Sequence, residues 1–486
     1  MKLVKFIFLF NLFIMAINNV AIAKDDLKKE TSDYNKYQKR CRTDLDFLYV
    51  TFRQNSAGFA NSQDVKFLNW LEEGYQNSKD LINYINDKND CYYLMKYYIN
   101  GFHDNSIGVV RDKLELPKEL YPGLLSAKIG NKYLIIYRNH NISYLEDIEV
   151  GDELISVDDI TAYEYYRQYL LPFYAKAKTE IAKKIASIYM LVVDGNNFIP
   201  IPKKITVKHK GKDKHITLKY TELTNTALQS ANKIRKPLLG NFHVHELADN
   251  KGIWIRIPTF APSLKQQKIF QKILTSLYSY RNKDFIVFDI RGNKEGSSFW
   301  QRTVLRNLWG DQYLKSLGDK HDYNKSWIRK IRVSKGNLPE FKKHHGRNEI
   351  KEYVKLISKQ ALFFEKQWSV YDEDKNLFTN QHQDKVTARV YVLTDNFCTS
   401  NCWMFVREML QIPKVKQLGS PTGIQGFYSK KRSISSPSKD FIFQISVQLR
   451  VQPVSNIGNE FIPKEIFEGD FNNESALQEW VLDLID

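Results

Sequence analysis

The chain has 486 residues, 43% of them apolar, 13% aromatic and 26% charged, with a formal net charge of +17. Those fractions describe a folded protein with ample core, and they exclude a disordered, collagen-like or disulfide-scaffold chain. At about 150 residues per domain the length corresponds to about three domains. Beyond the N-terminus no apolar run approaches the roughly 20 residues of a membrane-spanning helix.

Lys2 and Lys5 precede an almost wholly apolar run from Phe6 to Ile17, and Ala21-Ile22-Ala23 stands just before Lys24-Asp25-Asp26. A basic start, a short apolar stretch and a small-x-small site are the parts of a secretory signal peptide, here residues 1–23. The run is short for an uncleaved anchor. Export would place the mature chain, starting near Lys24, in the periplasm or outside the cell, where cysteines pair. The four cysteines are Cys41, Cys91, Cys398 and Cys402. Four allow three pairings, and nearest-neighbour disulfides, Cys41–Cys91 and Cys398–Cys402, are the expected ones. No C-x-x-C pair occurs, which speaks against a zinc ribbon or a thioredoxin-like site.

Residues 24–127 read as a helical region, with patterned runs such as Phe67-Leu68-Asn69-Trp70-Leu71 and Tyr92-Tyr93-Leu94-Met95. From about residue 128 the pattern becomes one of short strands: Tyr133 to Tyr137, Glu153 to Val157, and a lysine-rich hairpin of Ile205 to Val207 and Ile216 to Leu218 around Gly211. From about residue 240 strands alternate with helices, the signature of an α/β unit. Its strand candidates are Gly252 to Ile257, Phe285 to Ile290 and Arg389 to Thr394. No internal repeat or low-complexity linker interrupts the chain. The fold class expected is α/β, as a multidomain α+β chain.

The basic balance invites a nucleic-acid reading, which export opposes. Its densest stretch, Arg329 to Lys355, reads as a solvated face, or as a surface attracted to anionic envelope components or acidic polypeptides. His243 and His245 alternate on a strand and would share one side. Without H-E-x-x-H or cysteine partners they make no metal site, and no metal or cofactor is expected. His344 and His345 fall in the basic stretch.

Val150-Gly151-Asp152-Glu153-Leu154-Ile155-Ser156-Val157-Asp158-Asp159 resembles the vGDeLlsvdG segment of PDZ domains, with Asp159 at the usual glycine. Such domains capture a peptide by strand addition at a sheet edge. Ile286-Val287-Phe288-Asp289-Ile290-Arg291-Gly292-Asn293-Lys294-Glu295-Gly296-Ser297-Ser298 is similar to the lDlRgNgGGs strand and loop of the tail-specific (C-terminal-processing) serine peptidases. Leu305 to Gly310 continues the helix after it. Val392 to Cys402 resembles that family's nucleophile segment, with Ser400 at the nucleophile position, and Gly419-Ser420-Pro421-Thr422-Gly423-Ile424-Gln425-Gly426 resembles its GePTfGkG loop. The ending from Phe461 to Trp480 also reads like the family's. The resemblance spans roughly residues 128–486. It implies a PDZ-like peptide-binding domain at 128–237 and a serine peptidase core at 238–486.

The chemistry expected of these residues follows from their placement. Ser400 lies between a strand and a helix from Asn401 to Leu410, at a helix N-terminus where free N–H groups and the helix dipole favour a developing oxyanion. The Asn401 N–H is a natural oxyanion donor, and the family implies a second from the glycine loop, at Gly292. Cys398 and Cys402 flank the serine, so a disulfide there would stiffen the turn. The commonest use of a serine at such a spot is an N-cap. The nucleophile also needs a base. The family's lysine is Gln425 here. In a second branch, resembling the tricorn core protease, a histidine of a DGH-type motif acts with a late acid; the matching stretch, Phe102 to Ile107, has Ser106 at that position and His103 three residues earlier. His103 is the candidate displaced base and Glu460 the nearest acid, though neither register matches cleanly. Two readings follow. One is an exported serine endopeptidase acting on extended polypeptides through a Ser400 acyl-enzyme. The other is an inactive relative that binds peptides or serves as a scaffold. Oligomeric state has no signal in the sequence.

Overall fold

The computed structural model describes residues 35–112, 115, 117–176, 178–236, 240–248, 250–294, 296–318, 327–368, 386–451 and 459–485. The signal peptide reading, residues 1–23, lies outside the described residues, as does Glu295.

Helix α1 (Lys36–Asn55) starts where Asn35 and Gln38 form a reciprocal capping box, and α2 (Val65–Leu81) where the Asp64 carboxylate accepts the Phe67 N–H. Helix α3 (Lys88–Asn100) begins with a second capping box, of Asp87 and Asp90. Such caps satisfy N–H groups that a first turn leaves unpaired. The expected disulfide Cys41–Cys91 ties α1 to α3 with a Cα–Cα separation of 5.5 Å. Strand β1 (Gly108–Arg111) follows.

A second unit is an antiparallel sheet of β2 (Leu124–Ile129), β3 (Lys132–Arg138), β4 (Glu153–Val157), β5 (Lys204–His209) and β6 (Lys212–Thr217), paired in that order. The hairpin turns at Gly211, whose φ of 81° suits glycine. Helix α4 (Glu180–Ile188) packs on the edge strand β2, where Ser187 Oγ accepts the Lys128 N–H at 2.7 Å.

The third unit has six strands: β7 (His243–Leu247), β8 (Gly252–Arg256), β9 (Phe285–Asp289), β10 (Arg389–Thr394), β11 (Lys416–Gly419) and β12 (Glu465–Ile466). Only the β7–β8 pair is antiparallel; β8 to β12 run parallel. All five residues of β8 and of β9 are buried, the apolar ones as a parallel sheet covered on both faces requires and the terminal Arg256 and Asp289 as an ion pair. Ile286 and Phe288 face a core with Phe270, Leu305 and Phe405 from helices on one side. Phe285 and Val287 face Leu477, Val481 and Ile485 of the C-terminal helix on the other.

One further sheet joins distant parts of the chain. Residues 441–451 pair antiparallel with β1, with 327–332 and with 428–435. Phe441, Phe443, Ile445, Val447 and Leu449 close the core of the N-terminal helices. The fold is thus a multidomain α+β chain around an α/β sheet, as expected. None of the described helices is long and apolar enough to cross a membrane.

Candidate active site

Strand β10 delivers the chain into a tight turn that ends at Ser400, from which α5 (Asn401–Leu410) departs. Ser400 has φ 53° and ψ −122° and makes no side-chain cap bond. This settles the conformational alternative raised by the sequence. An N-cap serine sits in the β region and accepts an N–H of the first turn; Ser400 does neither. It occupies a region that L-residues enter at a cost of order 1–3 kcal/mol, a strain that clusters at functional sites. No described residue hydrogen-bonds its hydroxyl. The Asn401 N–H, first in the helix, has no carbonyl one turn behind it to bond.

Two glycine-bearing loops hold the turn. In the first, Asp395 accepts the Gly292 N–H at 2.7 Å and the Phe397 N–H at 3.1 Å, Thr399 Oγ1 donates to Lys294 O at 2.9 Å, and Asn401 Nδ2 donates to Gly296 O. The Gly292 N–H is therefore engaged by Asp395 in this conformation and is not free for an oxyanion. In the second, Asn396 Nδ2 donates to Pro421 O at 2.8 Å, and Gly423 lies so close to Thr399 that a Cβ would come within 2.3 Å of its methyl group. Cys398 and Cys402 form the expected disulfide, Cα–Cα 5.1 Å, across the turn.

Gly296 has φ 144°, and a Cβ there would stand 2.1 Å from the Phe260 carbonyl carbon. Backbone cannot retreat as a side chain can. Gly296→Ala is expected to break the Ser297 N–H to Phe260 O bond, 2.8 Å, and release Asn401, costing about 2–4 kcal/mol. Thermal unfolding measures this, and an unchanged melting temperature would refute it.

Below the turn, Asp289 is fully buried. It accepts from Arg256 Nη1 at 2.7 Å, Arg291 Nε at 2.8 Å and Arg291 Nη2 at 2.6 Å, while Arg291 also reaches Phe471 O and Glu474. Burial alone would raise its pKa, but the two guanidinium groups hold it below the usual carboxylate value. The sequence offered this aspartate and arginine only as family pattern; their work is to anchor the strand end from which Gly292 emerges.

Asp395 behaves oppositely. Burial pushes its pKa up to about 6, against the N–H bonds from Gly292 and Phe397. Between 3.8 and 6 the folded protein keeps a proton that the unfolded chain has released, so stability falls as pH rises through that window, by at most about 3 kcal/mol. Asp395→Asn, neutral throughout, is expected to flatten the decline of melting temperature from about pH 4 to about pH 6.5; an undiminished slope would assign the decline elsewhere.

The expected base positions are placed as follows. His103, with φ 52°, lines cavities with Trp70 and Lys178 and forms no hydrogen bond to Ser400. Burial and the Lys178 charge lower its pKa. Ser106 is buried, its N–H and Oγ both on Asp104 Oδ1 at 2.7 and 2.6 Å, and its hydroxyl meets that of Ser446. Gln425 is buried, with its amide on Gly426 O at 3.1 Å. Glu460 accepts the Glu180 N–H at 3.1 Å, at the start of α4. One amine that sequence reading did not single out joins this group. Lys176 Nζ donates to Asn105 O at 3.0 Å, and burial lowers its pKa to about 8, with Lys431 adding to the effect and Asp104 opposing it. Gly423 packs on Thr399 and Gly426 on Asp104. Three residues, about 10 Å at full extension, thus bridge the serine turn to the Asp104–Lys176 cluster. Lys176 comes from the second unit through tertiary packing, and no local pattern marks it.

His243 and His245 do lie together, ring centroids 5.5 Å apart, with His245 beside Gln478. Among the described residues no cluster of three or more metal-ligating side chains forms. His344 and His345 pair with Glu340 and Glu349.

Residues 253–465 match the model of Peptidase family S41. Among solved structures, mature CPAF complexed with lactacystin is similar, with 13% identity over 93% of this chain and 99% of that chain and a TM-score of 0.58. Mature CPAF is also 13% identical, over 93% of this chain and 98% of that chain, again with a TM-score of 0.58. At that identity the likeness is one of fold. No curated protein sequence matches this chain.

Proposed function

With residues 253–465 belonging to peptidase family S41, we propose that the protein is an exported serine endopeptidase that hydrolyses polypeptides through an acyl-enzyme on Ser400. The observation that carries this reading is the Ser400 backbone, strained at φ 53° and ψ −122° with its hydroxyl uncommitted at a helix N-terminus. Attack of Oγ on a carbonyl places the new oxyanion beside the Asn401 N–H, where the helix dipole stabilises it. The tetrahedral adduct collapses with cleavage of the C–N bond, the amine half of the peptide leaving with the proton given up by Oγ. Water then adds to the acyl-enzyme, releases the new carboxyl terminus and returns a proton to Oγ. The substrate class is an extended polypeptide, supported by the Gly151-Asp152 turn feeding β4 in a sheet whose edge strand is β2. The PDZ-like reading further assigns the β2–α4 edge to strand addition, and the Lys128–Ser187 bond must open for a strand to enter there. Export is supported by the signal-like N-terminus and the two disulfides. Of the expected positions, the Asn401 N–H is the oxyanion donor that this reading keeps, since the Gly292 N–H is engaged by Asp395 and His103 lines a cavity with Trp70 and Lys178.

A second reading has its own observation. Ser106, bonded to Asp104 and Ser446, and Gln425, bonded to Gly426, occupy the two positions where a base was expected. A protein that kept the fold and lost proton transfer would bind peptides without cleaving them. Labelling of the mature protein with a fluorophosphonate, with the modified residue located by mass spectrometry, separates the two. Adduct at Ser400 is the expected result. No adduct, together with measurable binding of unstructured peptides, overturns the peptidase reading in favour of the binder.

A further inference from the structure

A cavity of about 450 Å³ opens between α2, α3 and the segment around Leu171 to Lys178, lined on one side by Trp70 and Tyr97. The size falls within the roughly 300–1,000 Å³ of small-molecule sites. Its aromatic wall is preformed. The Trp70 and Tyr97 rings meet edge-on with centroids 5.8 Å apart, and the indole N–H donates to Tyr98 O at 2.8 Å. The indole lies so close to Gly101 that a Cβ there would come within 2.0 Å of it. Leu171, Pro172 and Ala175 complete an apolar lining.

The Asn100 amide in the lining donates to Phe173 O at 2.6 Å, and the side chains there that can carry a positive charge are His103, Lys178 and Lys183. Lys183 is already paired with Glu180 at 2.7 Å. The Lys178 ammonium has no ion pair among the described residues, and the His103 imidazole has no hydrogen bond among them. The Lys178 charge acts on His103 and disfavours its protonation, so the two groups are close enough to repel. An apolar slot thus ends at a cationic group that lacks a counter-ion. Three carboxylates stand in an adjoining cavity that shares Trp70, His103 and Lys178: Asp64 is bonded to Tyr428, Asp104 to Ser106, and Glu73, like the other two, forms no ion pair with Lys178.

We infer that this cavity binds a small organic carboxylate with an apolar body, an aryl or alkyl group lying against Trp70 and Tyr97 and the carboxylate on Lys178. The site does not involve Ser400 and stands whether or not the serine is reactive. Charge complementarity selects the acid over its neutral analogues, and the aromatic wall selects an apolar body over a small hydrophilic anion.

The test is calorimetric titration of the intact chain with 4-phenylbutyrate and, separately, with its neutral amide. The acid is expected to bind at least 10-fold more tightly than the amide. Lys178→Glu, a change at an exposed side chain, is expected to weaken the acid at least 10-fold with the melting temperature unchanged. Trp70→Phe, which keeps an apolar wall but loses the bond to Tyr98, is expected to weaken acid and amide alike. No binding of the acid, equal binding of acid and amide, or wild-type affinity in Lys178→Glu would each overturn the inference.

Discussion

Ser400→Gly is expected to stabilise the protein by about 1 kcal/mol, Ser400→Ala to leave stability unchanged, and both to abolish fluorophosphonate labelling. The sign of the first effect follows from φ 53° and ψ −122°. A side chain in that region costs on the order of 1–3 kcal/mol, which glycine escapes. Glycine also enlarges the freedom of the unfolded chain, which returns roughly 0.5–1 kcal/mol. Alanine keeps the strain and removes only the hydroxyl. Were Ser400 an N-cap, its loss to alanine would cost about 1 kcal/mol, but no cap bond exists to lose. Denaturant unfolding of the three forms gives the order. A glycine variant less stable than the alanine variant would mean that the turn stores no strain, and labelling that persisted in both would move the nucleophile elsewhere.

Asp289→Ala is expected to destabilise the fold by about 3–5 kcal/mol, enough to lose most soluble protein. The carboxylate is the shared partner of Arg256 and Arg291, 2% and 0% exposed, and it also accepts the Trp254 indole N–H at 3.3 Å. Its removal leaves the buried Arg256 guanidinium without its carboxylate partner, while Arg291 keeps only Phe471 O and the half-exposed Glu474. The exposed pair Lys132–Glu153 provides the contrast: Lys132→Ala is expected to change stability by less than about 1 kcal/mol. Soluble yield and denaturation midpoints measure both. An Asp289→Ala protein as stable as Lys132→Ala would show that the network contributes nothing beyond a surface pair.

Much of the fold could be read along the chain because its signals are local. The unbroken apolar runs at Phe285 and Arg389 are buried parallel strands, and the spacing of Met404, Phe405, Met409 and Leu410 marks the helix that follows Ser400. Nearest-neighbour pairing of the four cysteines is the pairing present. What stayed hidden is non-local or conformational. No residue type near Ser400 announces a positive φ; serine there reads as a cap until the backbone is seen. The Gly292 N–H looked available because the Asp395 carboxylate that takes it lies a hundred residues away. His103 is near a motif in sequence, yet its φ of 52° belongs to a turn that lines a cavity with Trp70 and Lys178. Lys176 reaches Asn105 only through the docking of one unit on another.

The pairing of β1 with residues 441–444 also governs how the chain can be cut. Residues 36–111 are stitched to residues 441–451 by a strand ladder and by a shared greasy interior containing Phe52, Tyr98 and Phe443. A truncated version beginning after the helices would leave that ladder with a raw margin and its phenylalanines facing water, so the hydrolase-like portion should precipitate when produced by itself. During synthesis the amino-terminal helices must therefore wait, incompletely covered, until nearly the whole polypeptide has emerged.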